Sequence, residues 1–202
     1  MLKLPTGKMS SRTGDIITAE SLIDQVKEKV FEKVKDRKFS RVEEDEVAEI
    51  IAIGAIKYSI LKQAIGGDII FDFDKSISFE GNSGPYLQYS YTRAKSVLRK
   101  ALVSESMNMS LTLPKNWETT ELEKYLYRFP EIVERAGKEY APHYIVTYLT
   151  ELASIFNSFY AKEKIIDEND PSSPYKISLT QAVADILKSG LYLLGIKVPE
   201  RM

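Results

Sequence analysis

Apolar side chains return every three or four residues along most of this chain. Leu22, Ile23, Val26, Val30, Phe31 and Val34 predict an amphipathic helix over 19–37, with Thr18 as its N-cap. Its opposite face carries Lys27, Lys29, Lys33, Lys35, Arg37 and Lys38. Residues 44–65 are apolar on most sides (Val47, Ile50, Ile51, Ile53, Ala55, Ile56, Ile60, Leu61), which predicts a helix buried between neighbours. Glu43, Glu44, Asp45 and Glu46 complement the dipole at its start, and Gly66-Gly67 ends it. From Asp68 to Phe79 the pattern alternates among acids, reading as an extended linker or short strands.

Pro85 follows the turn Gly81-Asn82-Ser83-Gly84 and suits the first helical position of a segment over 85–104. Ser104 to Trp117 is polar and reads as a surface loop. Thr119 or Thr120 caps a short helix bearing Leu122, Tyr125, Leu126 and Phe129. Pro130 starts another helix, and Pro142 a longer one whose stripe runs from Ile145 through Leu149, Leu152 and Phe156 to Tyr160. An exposed loop over 167–174 precedes a last helix at 178–195, with Gly195 as its C-cap. Seven or so helices with short connections predict an all-α bundle. The expected organisation is a loop (1–17), a connecting helical segment (18–70) and a helical bundle (71–202), with the divide within 66–82.

Composition narrows the chemistry. The chain has 202 residues, enough to bury a sizeable core, and no cysteine, so disulfides, thiolate metal sites and thiol nucleophiles are excluded. His143 is the only histidine, so a two-histidine metal motif is impossible and no metal site is expected; His143, after Pro142, reads as a buried or capping residue. A net charge of −1 gives no global attraction to nucleic acid, so any RNA contact must use local patches and aromatic faces. No stretch of about 18 apolar residues lacks charges, and the first residues have no apolar h-region. No membrane contact is expected, and the chain reads as a cytoplasmic monomer.

Four segments carry candidate chemistry. Lys8-Met9-Ser10-Ser11-Arg12 lies between two glycines, as a mobile loop able to bring cations to a polyphosphate, or simply as a solvated loop. Tyr86, Tyr89 and Arg93, within Gly84-Pro85-Tyr86-Leu87-Gln88-Tyr89-Ser90-Tyr91-Thr92-Arg93, share one helix face. Such a face offers stacking platforms for unpaired bases and a phosphate ligand; spacing alone favours a packing face with hydroxyls at its rim. In Phe156-Asn157-Ser158-Phe159-Tyr160 most aromatics must be core, with one or two exposed at the helix end. The tail Val198-Pro199-Glu200-Arg201-Met202 either frays or docks.

Taken in order, these segments resemble the C-terminal portion of arginyl-tRNA synthetases, a family of class I aminoacyl-tRNA synthetases. Lys8-Met9-Ser10-Ser11-Arg12 resembles the class I signature loop Lys-Met-Ser-Lys-Ser, with Ser11 in place of its second lysine and Arg12 as the neighbouring substitute. Phe79-Glu80-Gly81-Asn82-Ser83-Gly84-Pro85-Tyr86-Leu87-Gln88-Tyr89 resembles the entry to that family's anticodon-binding domain, and Leu193-Leu194-Gly195-Ile196-Lys197-Val198-Pro199-Glu200-Arg201-Met202 is similar to its ending. The family's other signature needs two histidines around a glycine and is absent, which implies part of an enzyme, inactive alone. The resemblance implies ATP-dependent attachment of arginine to its tRNA, with Mg2+ accompanying ATP. Lys8, Ser10 and Arg12 would contact the ATP phosphates. Tyr86 and Tyr89 would hold splayed bases of the anticodon loop, with Phe156 and Tyr160 as a second aromatic wall. Arg93 and Arg99 would meet phosphates, Met202 would close the pocket, and the face from Lys27 to Lys38 would meet the tRNA stem. The rival reading is a standalone, non-catalytic helical RNA-binding or scaffold module.

Overall fold

The computed structural model describes residues 2–3, 18–34, 40–103, 109–115 and 117–202. The order of elements is β1 (Leu2–Lys3), α1 (Ala19–Val34), α2 (Arg41–Leu61), β2 (Ile69–Ile70), α3 (Phe73–Ser76), α4 (Gly84–Val103), α5 (Glu121–Leu126), α6 (Phe129–Lys138), α7 (His143–Lys162) and α8 (Ser173–Leu193). Helix dominates, as the apolar periodicity predicts.

Two apolar clusters hold the elements. In the first, Leu22, Val26 and Val30 of α1 pack on Ala48, Ile51, Ala52 and Ala55 of α2, and Phe71 and Ile77 close the cluster. The segment read as an extended linker or short strands is therefore a packed one. Only Ile69–Ile70 is strand, pairing in parallel with Leu2–Lys3. Asp72 then caps the single turn of α3 by accepting from the Lys75 N–H, which turns Phe71 and Ile77 onto α2. The stretch thus holds a two-residue strand and a helical turn, with Phe71, Ser76 and Ile77 buried.

The second cluster is the bundle: Leu87 and Tyr91 of α4, Leu149, Leu152 and Phe156 of α7, and Val183, Leu187 and Leu191 of α8. Each such side chain, fully buried, contributes roughly 1.5–3 kcal/mol. The clusters meet where α2 runs against the start of α4. A Cβ on Gly84 would lie 2.4 Å from the Gly54 carbonyl oxygen, so only glycine permits this approach.

Helix ends follow local chemistry. Ser40 and Glu43 form a capping box that starts α2 earlier than the acidic run suggests. Thr120 and Glu123 do the same for α5. Helix α8 starts at Ser173, inside the stretch read as loop, with Pro174 in its first turn. Its Lys176 is buried and paired with Glu163 (2.6 Å) and Asp170 (3.0 Å), which holds this turn helical. Gly195, at φ +67°, ends α8 in a Schellman motif: the Ile196 N–H donates to the Leu191 carbonyl (2.8 Å) and the Gly195 N–H to Tyr192 (2.9 Å). Among the described residues, no helix is long and apolar enough to cross a membrane.

Candidate nucleic-acid interface

The start of α4 sets the site. The Ser83 hydroxyl accepts from the Tyr86 N–H (3.1 Å) and donates to the Ser78 carbonyl. This fixes the register in which Tyr86, Tyr89 and Arg93 share a face turned toward the last turns of α7. From α7 come Asn157 and Tyr160, three residues apart and so on one face.

Arg93 is the hub. Its guanidinium lies 4.7 Å from the Tyr89 ring centroid and 5.1 Å from that of Tyr160, held between two aromatic faces. It donates to the Asn157 Oδ1 (2.6 Å) and the Tyr89 hydroxyl (3.0 Å), both neutral acceptors. Asn157 in turn donates to the Tyr86 hydroxyl and the Ser90 hydroxyl, each at 3.0 Å. Phe79 braces Tyr89 edge-on, its ring centroid 6.3 Å away.

The chain's last residues complete the site. Arg99 donates to the Glu200 carbonyl (3.1 Å), and Arg201 pairs with Glu43 of α2 (3.0 Å). Hydrogen bonds from the Ser40 backbone and hydroxyl hold the Glu43 carboxyl below its usual range, with Arg201 adding to the effect. Tyr89, Arg93, Lys100, Tyr160, Arg201 and Met202 together line a cleft of about 380 Å³. With Arg99, the lining includes four cationic side chains and no acidic one. The chain is nearly neutral overall, so this positive, aromatic cleft is a local concentration of charge. Chemically it is suited to a planar base stacked on a ring with its phosphate among the cations.

The structure thus brings together Tyr89, Arg93, Tyr160 and Met202. Two expectations need correction. Phe156 has no exposed surface, so it is no open wall; as part of the bundle core it backs Tyr160, with ring centroids 6.4 Å apart. Tyr86 does not line the cleft. It is packed against the bundle core with its hydroxyl engaged by Asn157, and so supports the site from beneath. The tail is docked. Lys8, Ser10 and Arg12 lie outside the described residues.

The proposed stem-binding face of α1 also changes. Lys27 pairs with Asp45 (3.0 Å) and Glu49 (3.4 Å), and Lys29 with Asp74 (3.3 Å). The hydrogen bond to Asp45 is the largest cause raising the Lys27 pKa. These two ammonium groups hold α1 to α2 and α3; Lys35, Arg37 and Lys38 lie outside the described residues. His143 begins α7, half-buried, its Nδ1 without a hydrogen-bond partner among the described residues. Asn157, Lys100 and Arg201 are the site residues that pattern reasoning missed. A polar Asn157 one turn before Tyr160 in an apolar run was the available signal.

The fold is a helical bundle of the class I synthetase anticodon-binding type. Residues 87–202 match the family described as the DALR anticodon binding domain, and the chain belongs to that family. Residues 1–73 match the catalytic domain of the class I (R) tRNA synthetases. The arginine–tRNA ligase of Bacteroides fragilis is 37% identical across the whole chain, which covers 35% of that protein. That of Halothermothrix orenii is 35% identical over the whole chain and 36% of its own length. Among solved structures, Thermus thermophilus arginyl-tRNA synthetase matches with a TM-score of 0.80 at 30% identity, over 100% of this chain and 34% of its own. The Plasmodium falciparum arginyl-tRNA synthetase matches at 0.75 and 25% identity, over 93% of this chain and 34% of its own. The chain therefore spans about a third of the length of these relatives.

Proposed function

We propose that this chain is the anticodon-reading part of an arginine–tRNA ligase, and that the cleft between α4, α7 and the carboxy-terminus receives bases of the anticodon loop. The observation that carries this reading is the convergence of Tyr89, Arg93, Tyr160 and Met202, from three separate stretches of sequence, on one cationic cleft. Tyr89 and Tyr160 supply stacking faces. Arg93, fixed by Asn157, supplies charge at a set position, while Lys100 and Arg99 extend that charge along α4. Tyr86 and Phe156 keep the two helices in register.

In the whole ligase, which would act in the cytoplasm as a monomer, Lys8, Ser10 and Arg12 would meet the phosphates of ATP as arginine is activated. The β1–β2 pairing and the α1–α2 pair would connect that loop to the bundle. Mg2+ would accompany the ATP.

Photo-crosslinking tests the reading. An arginine-tRNA anticodon stem-loop carrying a photoreactive base in its loop is irradiated with the chain, and the adducts are mapped by mass spectrometry. Adducts on Tyr89, Tyr160 or the terminal peptide 198–202 are expected. Adducts confined to α1, α5 or α6 would overturn it.

A further inference from the structure

Gln88 lies in the α4 entry but does not line the cleft. It has no exposed surface. Its Nε2 donates to the Ile50 carbonyl of α2 (3.1 Å) and the Lys197 carbonyl of the tail (2.8 Å). Its Oε1 is buried without a hydrogen-bond partner among the described residues. Two carbonyls on one nitrogen fix the amide's orientation, since the reverse would set oxygen against oxygen. The side chain is thus matched to its donors and leaves its acceptor unsatisfied. Gly54 makes room for it: a Cβ there would lie 2.6 Å from Nε2.

The Lys197 carbonyl is where the tail leaves α8 for the cleft. On one side of it the Gly195 carbonyl accepts from Lys57 of α2. On the other, Glu200 and Arg201 are tied to Arg99 and Glu43. Those outer ties lie on exposed side chains, where ion pairs are weak. The contact through Gln88 is the buried one.

We propose that Gln88 is a positioning residue: by holding the Lys197 carbonyl between α2 and α4, it seats Arg201 and Met202 in the cleft. The proposal rests on that cleft being the RNA-reading site. It extends the site beyond the side chains that line it, to a buried amide that touches no ligand.

The test has two arms. Trypsin cuts after Lys197 and after Arg201, and the cut after Lys197, which removes everything beyond that residue, is read by the mass of the remaining chain. Gln88→Met keeps the volume and removes both hydrogen bonds. It should speed that cut roughly tenfold, the factor expected from losing buried hydrogen bonds, while protection at Lys188 within α8 is unchanged. Gly54→Ala, which leaves Gln88 in place but displaces its amide, should act in the same direction, so the test survives a poorly folding Gln88 variant. Cleavage at the wild-type rate in both variants would overturn the clamp. The second arm measures anticodon stem-loop affinity. Gln88→Met should weaken binding in the full chain and have no further effect in a chain lacking Arg201 and Met202. Additive losses would mean that Gln88 does not act through the tail. A stem-loop that binds no chain at all would sink the RNA reading, and the trypsin arm would still decide the clamp.

Discussion

Tyr160 and Phe156 sit one turn apart on α7 and should respond oppositely to truncation. Tyr160 is 40% exposed, near the end of its helix, and faces the Arg93 guanidinium at 5.1 Å. Losing that contact at a half-open site costs about 0.5–1 kcal/mol of stability. At about 2–4 °C per kcal/mol for a chain of this size, Tyr160→Ala should shift the melting midpoint by no more than about 4 °C. If a base stacks on its ring, the same change should weaken stem-loop binding by about 1–3 kcal/mol, roughly 5- to 150-fold. Phe156 is wholly buried among Leu149, Leu152 and the α4 face. Phe156→Ala should cost about 3–5 kcal/mol of stability, which lowers the midpoint by about 6–20 °C. Where the chain remains folded, its affinity should change less than that of Tyr160→Ala. The assays are fluorescence anisotropy at fixed salt and a melt followed by circular dichroism. Unchanged binding in Tyr160→Ala with a fall in midpoint as large as that of Phe156→Ala would show that Tyr160 is core.

Further outcomes are expected elsewhere. Gly84→Ala would drive a methyl group onto the Gly54 carbonyl, so a melt should show a loss of about 1–3 kcal/mol as α4 is pushed from α2. Hydrogen bonds from the Ser172 hydroxyl and backbone, then from Lys176, hold the Asp170 carboxyl down to about 2 from an ordinary 3.8. A depressed folded-state pKa gives stability that is present above the unfolded value and lost as pH falls through the folded one. Melts between pH 4 and pH 2, on the scale of those values, should show that decline in the wild type and a shallower one in Asp170→Asn. ATP–pyrophosphate exchange with arginine should be at background for this chain alone; arginine-dependent exchange in a clean preparation would contradict the expectation.

How much of this was legible beforehand depends on where the information sits. Three- and four-residue periodicity locates each long helix among the described residues, because burial of one face is written directly into residue order. Helix starts are less legible: Ser40 and Glu43 form a capping box, yet the acidic run beside them is equally compatible with a start a few residues later. The segment around Phe71 and Ile77 read as a linker because its partners, on α1 and α2, lie far away in sequence. Tyr89, Arg93 and Tyr160 could be nominated, whereas Phe156 could not be told from Tyr160 by spacing. Which ring is buried depends on how α7 meets α4 and α8, and no local pattern records that. Asn157 and Gln88 went unassigned because a polar residue inside a helix acquires its role only from the carbonyl, hydroxyl or guanidinium that folding brings to it.

The proposed role of the cleft is to read unpaired bases of an arginine-tRNA anticodon loop. Fluorescence anisotropy with two stem-loops, identical in stem and length and differing only in the three anticodon bases, tests it most directly. Salt must be high enough to suppress purely electrostatic binding. The arginine anticodon should bind tighter by roughly tenfold or more, a preference abolished by Tyr89→Ala. Equal affinity for the two loops, or a preference that survives Tyr89→Ala, would contradict it.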